Sequence, residues 1–280
     1  MGMLLWLFLH LPVKYQAGRS SATHTIEDMA KSDKMRADLL LVEQGLVPSR
    51  ERARAYILAG RVLVREQKID KPGTLVHQGS PVRLLGDDPP YVSRGGLKLA
   101  GALDHWQISL TGIACIDVGA STGGFTDCML QHGAAHVTAI DTGLGQIAMK
   151  LRNDPRVSLM ERTNARLLKP GALGAGDGCP QPKFMAIDVS FISATLLLGP
   201  VLAAGPSLTQ AVVLVKPQFE AGREHVGKGG IVRDPEAHQL AVGKVADCLR
   251  SLAWTVLESI PSPIDGAEGN KEFLLHAKRC

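Results

Sequence analysis

Asp117-Val-Gly-Ala-Ser-Thr-Gly-Gly-Phe-Thr-Asp127 (DVGASTGGFTD) follows a short apolar run and leads into a helical pattern. A glycine-rich turn between a strand and a helix is the nucleotide-binding first turn of an α/β domain. Its details narrow the ligand. A dinucleotide turn keeps glycine at its second position so that the backbone can approach a pyrophosphate. Here that position is Ser121, and no GxxxxGK[ST] phosphate loop is present. Asp117 ends the strand, Gly119 and Gly123 stand four apart, and Thr122 and Gly124 complete the turn. A carboxylate at the strand end suits a cation-bearing ligand better than a diphosphate. Asp141, 24 residues on, ends the run 137–140, where an acidic side chain grips ribose hydroxyls. NAD would use the same arrangement, so Asp141 does not discriminate. Asn164 follows a further strand candidate, 157–160, and is placed to border an adenine.

Outward from this turn, apolar runs at 113–118, 136–140, 157–160, 184–189, 211–215, 254–260 and 273–276 read as strands. Helical patterns lie between them at 123–132, 144–151, 193–203 and 235–252. Strands separated by helices predict a Rossmann-like α/β domain with a mostly parallel sheet over residues 93–280.

The first third differs. Residues 1–90 carry 13 Lys and Arg against 10 Asp and Glu, whereas 91–280 carry 18 against 17. The excess is concentrated between Lys34 and Arg65, with seven basic residues and three acidic ones, the footprint of a module that touches phosphates. Residues 36–44 and 50–59 read as two helices, the second capped by Ser49 and stopped by Gly60. Strands are expected at 61–64 and 81–85. This makes residues 34–86 a small α+β domain, followed by a turn-rich linker at 87–92. Residues 1–33 hold an apolar stretch at 3–11 that is too short to span a membrane and lacks a basic flank, so they are expected to be disordered or a non-native extension. Five scattered cysteines without a C-x-x-C pair point to a reducing compartment, and no metal-ligand cluster is evident.

Four residues are candidates for chemistry. Asp188 and Lys216 end apolar runs, Glu272 opens one, and Lys98 lies in YVSRGGLKL ahead of the glycine turn. Ends of parallel strands are where ligands bind. A ribose hydroxyl is a poor nucleophile, and a lysine in a partly desolvated cleft beside another cation can serve as its base.

The run RADLLLVEQGLVPSRERARAYILAGRVLV resembles the S4 RNA-binding domain, which implies that Arg50 and Arg54, on one helix face, meet an RNA backbone. Asp-x-Gly-x-x-x-Gly at 117–123 resembles the first motif of S-adenosylmethionine (SAM)-dependent methyltransferases. Lys98, Asp188, Lys216 and Glu272 resemble the K-D-K-E tetrad of FtsJ/RrmJ-type ribose 2′-O-methyltransferases. That resemblance implies that Lys216 takes or polarises the hydroxyl proton and Lys98 steadies the developing oxyanion. Asp188 and Glu272 would orient the lysines and the methyl donor. From Met35 to about Arg279 the chain resembles the TlyA (haemolysin A) family of rRNA 2′-O-methyltransferases. The stretches that carry this include DVSFIS, LVKPQFE, GKGGIVRD and GNKEF. The family implies SAM as cofactor, no metal, methylation of cytidine in small- or large-subunit rRNA, and rRNA or ribosomal subunits as partners. It also implies a cytoplasmic protein without stable membrane association, and leaves the oligomeric state open. Arg36, Arg61, Arg94, Lys228 and Arg233 are further candidates for RNA contact, and Phe191 for stacking on a flipped-out base. Three other readings stay open: a membrane-active haemolysin, a non-catalytic SAM-binding assembly factor, and an NAD-dependent dehydrogenase.

Overall fold

The computed structural model describes residues 33–86, 90–174, 180–266 and 269–279. The expectation for the N-terminal extension and the linker residues 87–89 lie outside the described residues.

The N-terminal part runs β1 (Lys34–Arg36), α1 (Ala37–Glu43), α2 (Arg50–Leu58), β2 (Val62–Val64), β3 (Gln67–Ile69), β4 (Leu75–His77) and β5 (Val82–Leu84). Ser49 caps α2, its hydroxyl accepting the Arg52 N–H at 3.2 Å. Leu40, Leu41, Ala53, Tyr56, Ile57 and Val62 bury the inner faces of both helices against β2. The β2–β3 hairpin was not expected from the sequence. It turns at Arg65 and Glu66, both at positive φ, without the Asn-Gly or Asp-Gly pair that signals such a turn.

The larger part adds α3 (Gly95–His105), β6 (Ala114–Val118), α4 (Gly124–Gln131), β7 (His136–Ile140), α5 (Met149–Arg152), β8 (Val157–Met160) and β9 (Phe184–Ile187). It continues through α6 (Thr195–Ala204), β10 (Gln210–Val215), α7 (Pro217–Glu220), α8 (Pro235–Ser251), β11 (Thr255–Pro261) and β12 (Phe273–Lys278). Seven strands form one sheet in the order β11-β12-β10-β9-β6-β7-β8. The central strands are parallel and buried along ACIDV, FMAI and AVVLV, runs that are apolar except at Asp117. β12 runs antiparallel between β10 and β11. Helices cover both faces, giving two cores on either side of the sheet. This is the Rossmann-like α/β fold, preceded by an S4-like α+β domain. Among the described residues, no helix is long and apolar enough to cross a membrane.

Two helices depart from expectation. The pattern at 144–151 yields a helix only at Met149–Arg152. Asp141 captures the Gly143 N–H at 2.7 Å, and Gly145 sits at φ +68°, which keeps the preceding residues in a turn. Helix α3 opens on Gly95 and Gly96, poor helix formers that conceal it in the sequence. A Cβ on Gly96 would lie 2.3 Å from the Tyr91 ring, so the ring packs directly on the helix backbone.

Candidate active site

Strand register gathers the four candidates. Val118 pairs with Ile187 and Val213 pairs with Ile187, so Asp188 emerges at the C-terminal end of the parallel strands, where the strand order reverses. Val215 pairs with Phe273 of antiparallel β12. That register sets Glu272, which precedes β12, beside Lys216, which follows β10. Lys98 arrives from α3, whose Leu99, Ala102 and Leu103 share a core with Val212 and Leu274.

The four side chains form two ion pairs. Lys98 donates to Glu272 Oε2, both groups being buried. Lys216 Nζ lies 2.6 Å from Asp188 Oδ1 and donates to Ser190 Oγ at 2.9 Å. Ser190, in the stretch DVSFIS, thus serves as a second acceptor for Nζ.

Three adjoining cavities meet at these pairs. The first, of about 370 Å³, is lined by Gly119, Ser121, Asp141, Asn164, Asp188 and apolar side chains that include Ile140, Ile192 and Leu197. The second, of about 240 Å³, is lined by Gly119, Ser121, Thr122, Gly124, Lys98, Asp188 and Lys216. The third, of about 400 Å³, is bounded by Lys98, Lys216, Glu272, Phe191, Gln218 and Phe219. Lys98, Ser190 and Lys216 border both the second and the third.

The first cavity fits an adenosine. Asp141 accepts the Ser121 N–H through Oδ2 at 2.8 Å and the Gly143 N–H through Oδ1 at 2.7 Å. Each oxygen keeps a further lone pair for a ribose hydroxyl. Its charged lining residues are Asp141 and Asp188, with no Lys or Arg, so a pyrophosphate would meet like charge. The glycine turn is shaped by packing. Gly119 holds φ +87°, and a Cβ there would fall 2.2 Å from the Asp188 carbonyl oxygen. Gly123, at φ +93°, is closed off by Leu151 and Ile147, and lines neither cavity. Ser121 itself sits at φ +49°.

Asp117 departs from the expectation that it touches a ligand. It is fully buried beneath the turn and lines none of the three cavities. Its Oδ2 accepts the Thr126 hydroxyl at 2.6 Å, while Oδ1 is buried without a partner. Burial pushes this carboxyl up to about 7 against the hydrogen bond from Thr126, with the charge of Asp188 adding to the rise. The folded chain therefore keeps a proton that the unfolded chain releases near 3.8. Stability attributable to Asp117 falls as pH rises between these values, by about 1.4 kcal/mol per pH unit at most. Asp117→Asn removes that slope. In urea titrations the wild-type midpoint should fall relative to the variant from pH 5 to 7 and then run parallel to it. Parallel midpoints throughout would contradict the assignment.

The RNA-contact candidates are scattered. Phe191 is 92% exposed, holds φ +66° and packs its ring 5.5 Å from that of Phe219. A phenylalanine in the left-handed region is strained by about 1–3 kcal/mol and persists only where its surroundings enforce it. Arg94 borders the second cavity, and its guanidinium donates to the Asp265 carbonyl oxygen at 2.5 Å. Arg94 and Arg61 also line a crevice of about 700 Å³ between the N-terminal domain and α3, with Tyr91 and Leu97. Phe191 lines the first and third cavities; Lys228 and Arg233 are exposed, but neither borders either of them. Arg233 instead lines a groove between α8 and β11. Asn270 ties down their loop, accepting the Val232 N–H and donating to the Gly230 carbonyl, both at 2.9 Å. Arg54 is exposed on α2. Arg36 and Arg50 are partly committed inside the fold, since both bind the fully buried Asp38 at 2.9 Å. Burial alone would raise the Asp38 carboxyl, but these two guanidinium groups outweigh it and hold it below the usual range.

Residues 91–279 match the model of the FtsJ-like methyltransferase family, and residues 35–82 match that of the S4 domain. A candidate rRNA methyltransferase of Bacillus subtilis (strain 168), YqxC, is 46% identical over 245 residues, covering 88% of this chain and 86% of that one. The 16S/23S rRNA (cytidine-2′-O)-methyltransferase TlyA of Mycobacterium tuberculosis is 42% identical over 241 residues, covering 86% of this chain and 88% of that one. A solved structure from Streptococcus thermophilus that carries a hemolysin label is 42% identical, with a TM-score of 0.67 over 88% of this chain and 89% of that one.

Proposed function

Since the chain belongs to the FtsJ-like methyltransferase family and carries an S4 domain ahead of its catalytic domain, we propose that it methylates a ribose 2′-hydroxyl of rRNA, on cytidine, with SAM as donor. The observation that carries this reading is the pair of lysine–carboxylate contacts at the junction of the second and third cavities. One side of that junction opens onto the glycine turn, and the other is walled by an exposed aromatic.

SAM, when bound, supplies an activated methyl group on a sulfonium. The protein's residues do the rest. Asp141 and Asn164 hold the adenosine, and Gly119, Ser121, Thr122 and Gly124 line the path toward Lys98. Lys216 Nζ receives the proton of the 2′-hydroxyl, steadied by Asp188 and Ser190. Lys98, fixed by Glu272, offsets negative charge growing on the ribose oxygen. Phe191 stacks on the base of the target nucleotide. With an activated donor, much of the catalysis is positioning. We place this work in the cytoplasm, on rRNA or ribosomal subunits.

The reading is tested with labelled SAM offered to ribosomal subunits and to naked rRNA that lack the modification. Label should enter RNA in at least one form, and its absence from both would overturn the reading. Arg54 contributes phosphate contact on this account. Arg54→Ala should lower the slope of log K against log salt for RNA binding by about one. An unchanged slope would remove α2 from the interface. Arg50→Ala is a poorer probe because it also strips a partner from buried Asp38.

A further inference from the structure

The segment that carries Phe191 is gripped at both ends by the run that leads from the end of β10 through α7. At its start, Lys216 holds Asp188 and Ser190. At its end, buried Glu220 accepts the Ser193 hydroxyl through Oε2 at 2.5 Å and the Ala194 N–H through Oε1 at 2.6 Å. Between these grips, Phe219 packs against Phe191. Lys216, Phe219 and Glu220 thus lie within five consecutive residues, Lys216-Pro-Gln-Phe-Glu220. Glu220 is anchored in turn from α8, where Lys244 donates to its carbonyl oxygen at 3.0 Å and stands 3.5 Å from Oε2.

We propose that Glu220 is a positioning residue that sets Phe191 to receive the target base. The inference rests on the 2′-O-methyltransferase reading. A phenylalanine that is 92% exposed at φ +66° is not held there by burial of its own ring. Something must hold the backbone on both sides of it. Lys216 does so on one side and is itself tied to the chemistry. Glu220 does so on the other and touches none of the three cavities. Its position links the base platform rigidly to the strand end that presents Lys216. The base and the 2′-hydroxyl belong to one nucleotide, so fixing one platform against the other fixes the hydroxyl over Nζ.

A merely structural role would be capping, since Glu220 satisfies an N–H at the start of α6. Kinetics on unmodified ribosomal subunits separate the two roles. Glu220→Ala should lower kcat about 30-fold, the scale of one lost base–aromatic stack. The SAM Kd should stay within about twofold and the subunit KM within about threefold, because phosphate contacts dominate affinity. Phe191→Ala should lose a similar factor, and the double variant should lose no more than Phe191→Ala alone. Glu220→Gln keeps an acceptor for Ala194 and a partner for Ser193, so it should restore most of the rate. If Glu220→Ala does not fold, Ser193→Ala removes one of the same contacts from the other side and should lower kcat about fivefold. Full activity in Glu220→Ala and Ser193→Ala would overturn the proposal. So would losses that multiply with Phe191→Ala, or a SAM affinity that falls in parallel with the rate. A wild-type protein that puts no methyl on ribose overturns the function reading and this inference with it, whereas an active wild type with an indifferent Glu220 overturns this inference alone.

Discussion

Lys216→Ala should lower methyl transfer by about 10³-fold while leaving the SAM Kd within about threefold. Removing a positioned proton acceptor costs on the order of 10²–10⁴ in rate. Lys216 is buried and fixed by Asp188 and Ser190, and it borders the cavity that faces Phe191 as well as the one that continues toward the glycine turn. Its loss therefore falls on the hydroxyl more than on the donor. Lys216→Arg separates charge from proton transfer. It keeps a cation beside Asp188 but cannot offer a lone pair at neutral pH. It should stay at least about 10²-fold below wild type. Single-turnover rates and calorimetric SAM affinities check both variants. A Lys216→Arg enzyme near wild-type rate would make the residue a charge anchor, and loss of SAM binding in Lys216→Ala would make it part of the donor site.

Asp141→Ala should raise the SAM Kd about 100-fold. Hydrogen bonds to a charged acceptor contribute about 1.5–3 kcal/mol each, and two ribose hydroxyls are at stake. The same carboxylate also holds the Ser121 and Gly143 N–H groups, so the turn that lines the first two cavities loses its brace. Asp141→Asn keeps one acceptor and should fall between the two. At saturating SAM, the methyl-transfer rate of Asp141→Asn should recover to within about threefold, because Asp141 is remote from the Lys216 side of the cleft. A SAM affinity unchanged in Asp141→Ala would remove the adenosine from the first cavity.

The sequence revealed the site more readily than the way its residues are delivered. Asp188, Lys216 and Glu272 stand at the ends of buried strands, and burial forces those strands to be continuous apolar runs, so their positions could be read directly. Their meeting depends on register and on the antiparallel turn of β12, and neither is written in a local pattern. Lys98 was legible as a candidate, but the helix that delivers it was not, because α3 opens on two glycines, which the Tyr91 ring requires. Asp117 looked like a ligand contact because it was read as the end of the strand. β6 runs one residue further, to Val118, and the Asp117 side chain lies beneath the turn, where it reaches Thr126. Arg36 and Arg50 looked like surface cations, and only tertiary packing could show that Asp38 claims them both. Glu220 carried one faint signal, an acidic residue four positions after Lys216, and nothing local distinguished it from a solvated one.

The central claim is that the methyl group reaches a ribose 2′-oxygen. The most direct measurement is digestion of RNA methylated by the full-length protein to nucleosides, followed by mass spectrometry and mapping of the modified position. The account predicts 2′-O-methylcytidine at a defined rRNA position, absent when Lys216→Ala replaces the wild type. A methyl group found on a base, or on no nucleoside despite measurable SAM binding, would contradict it.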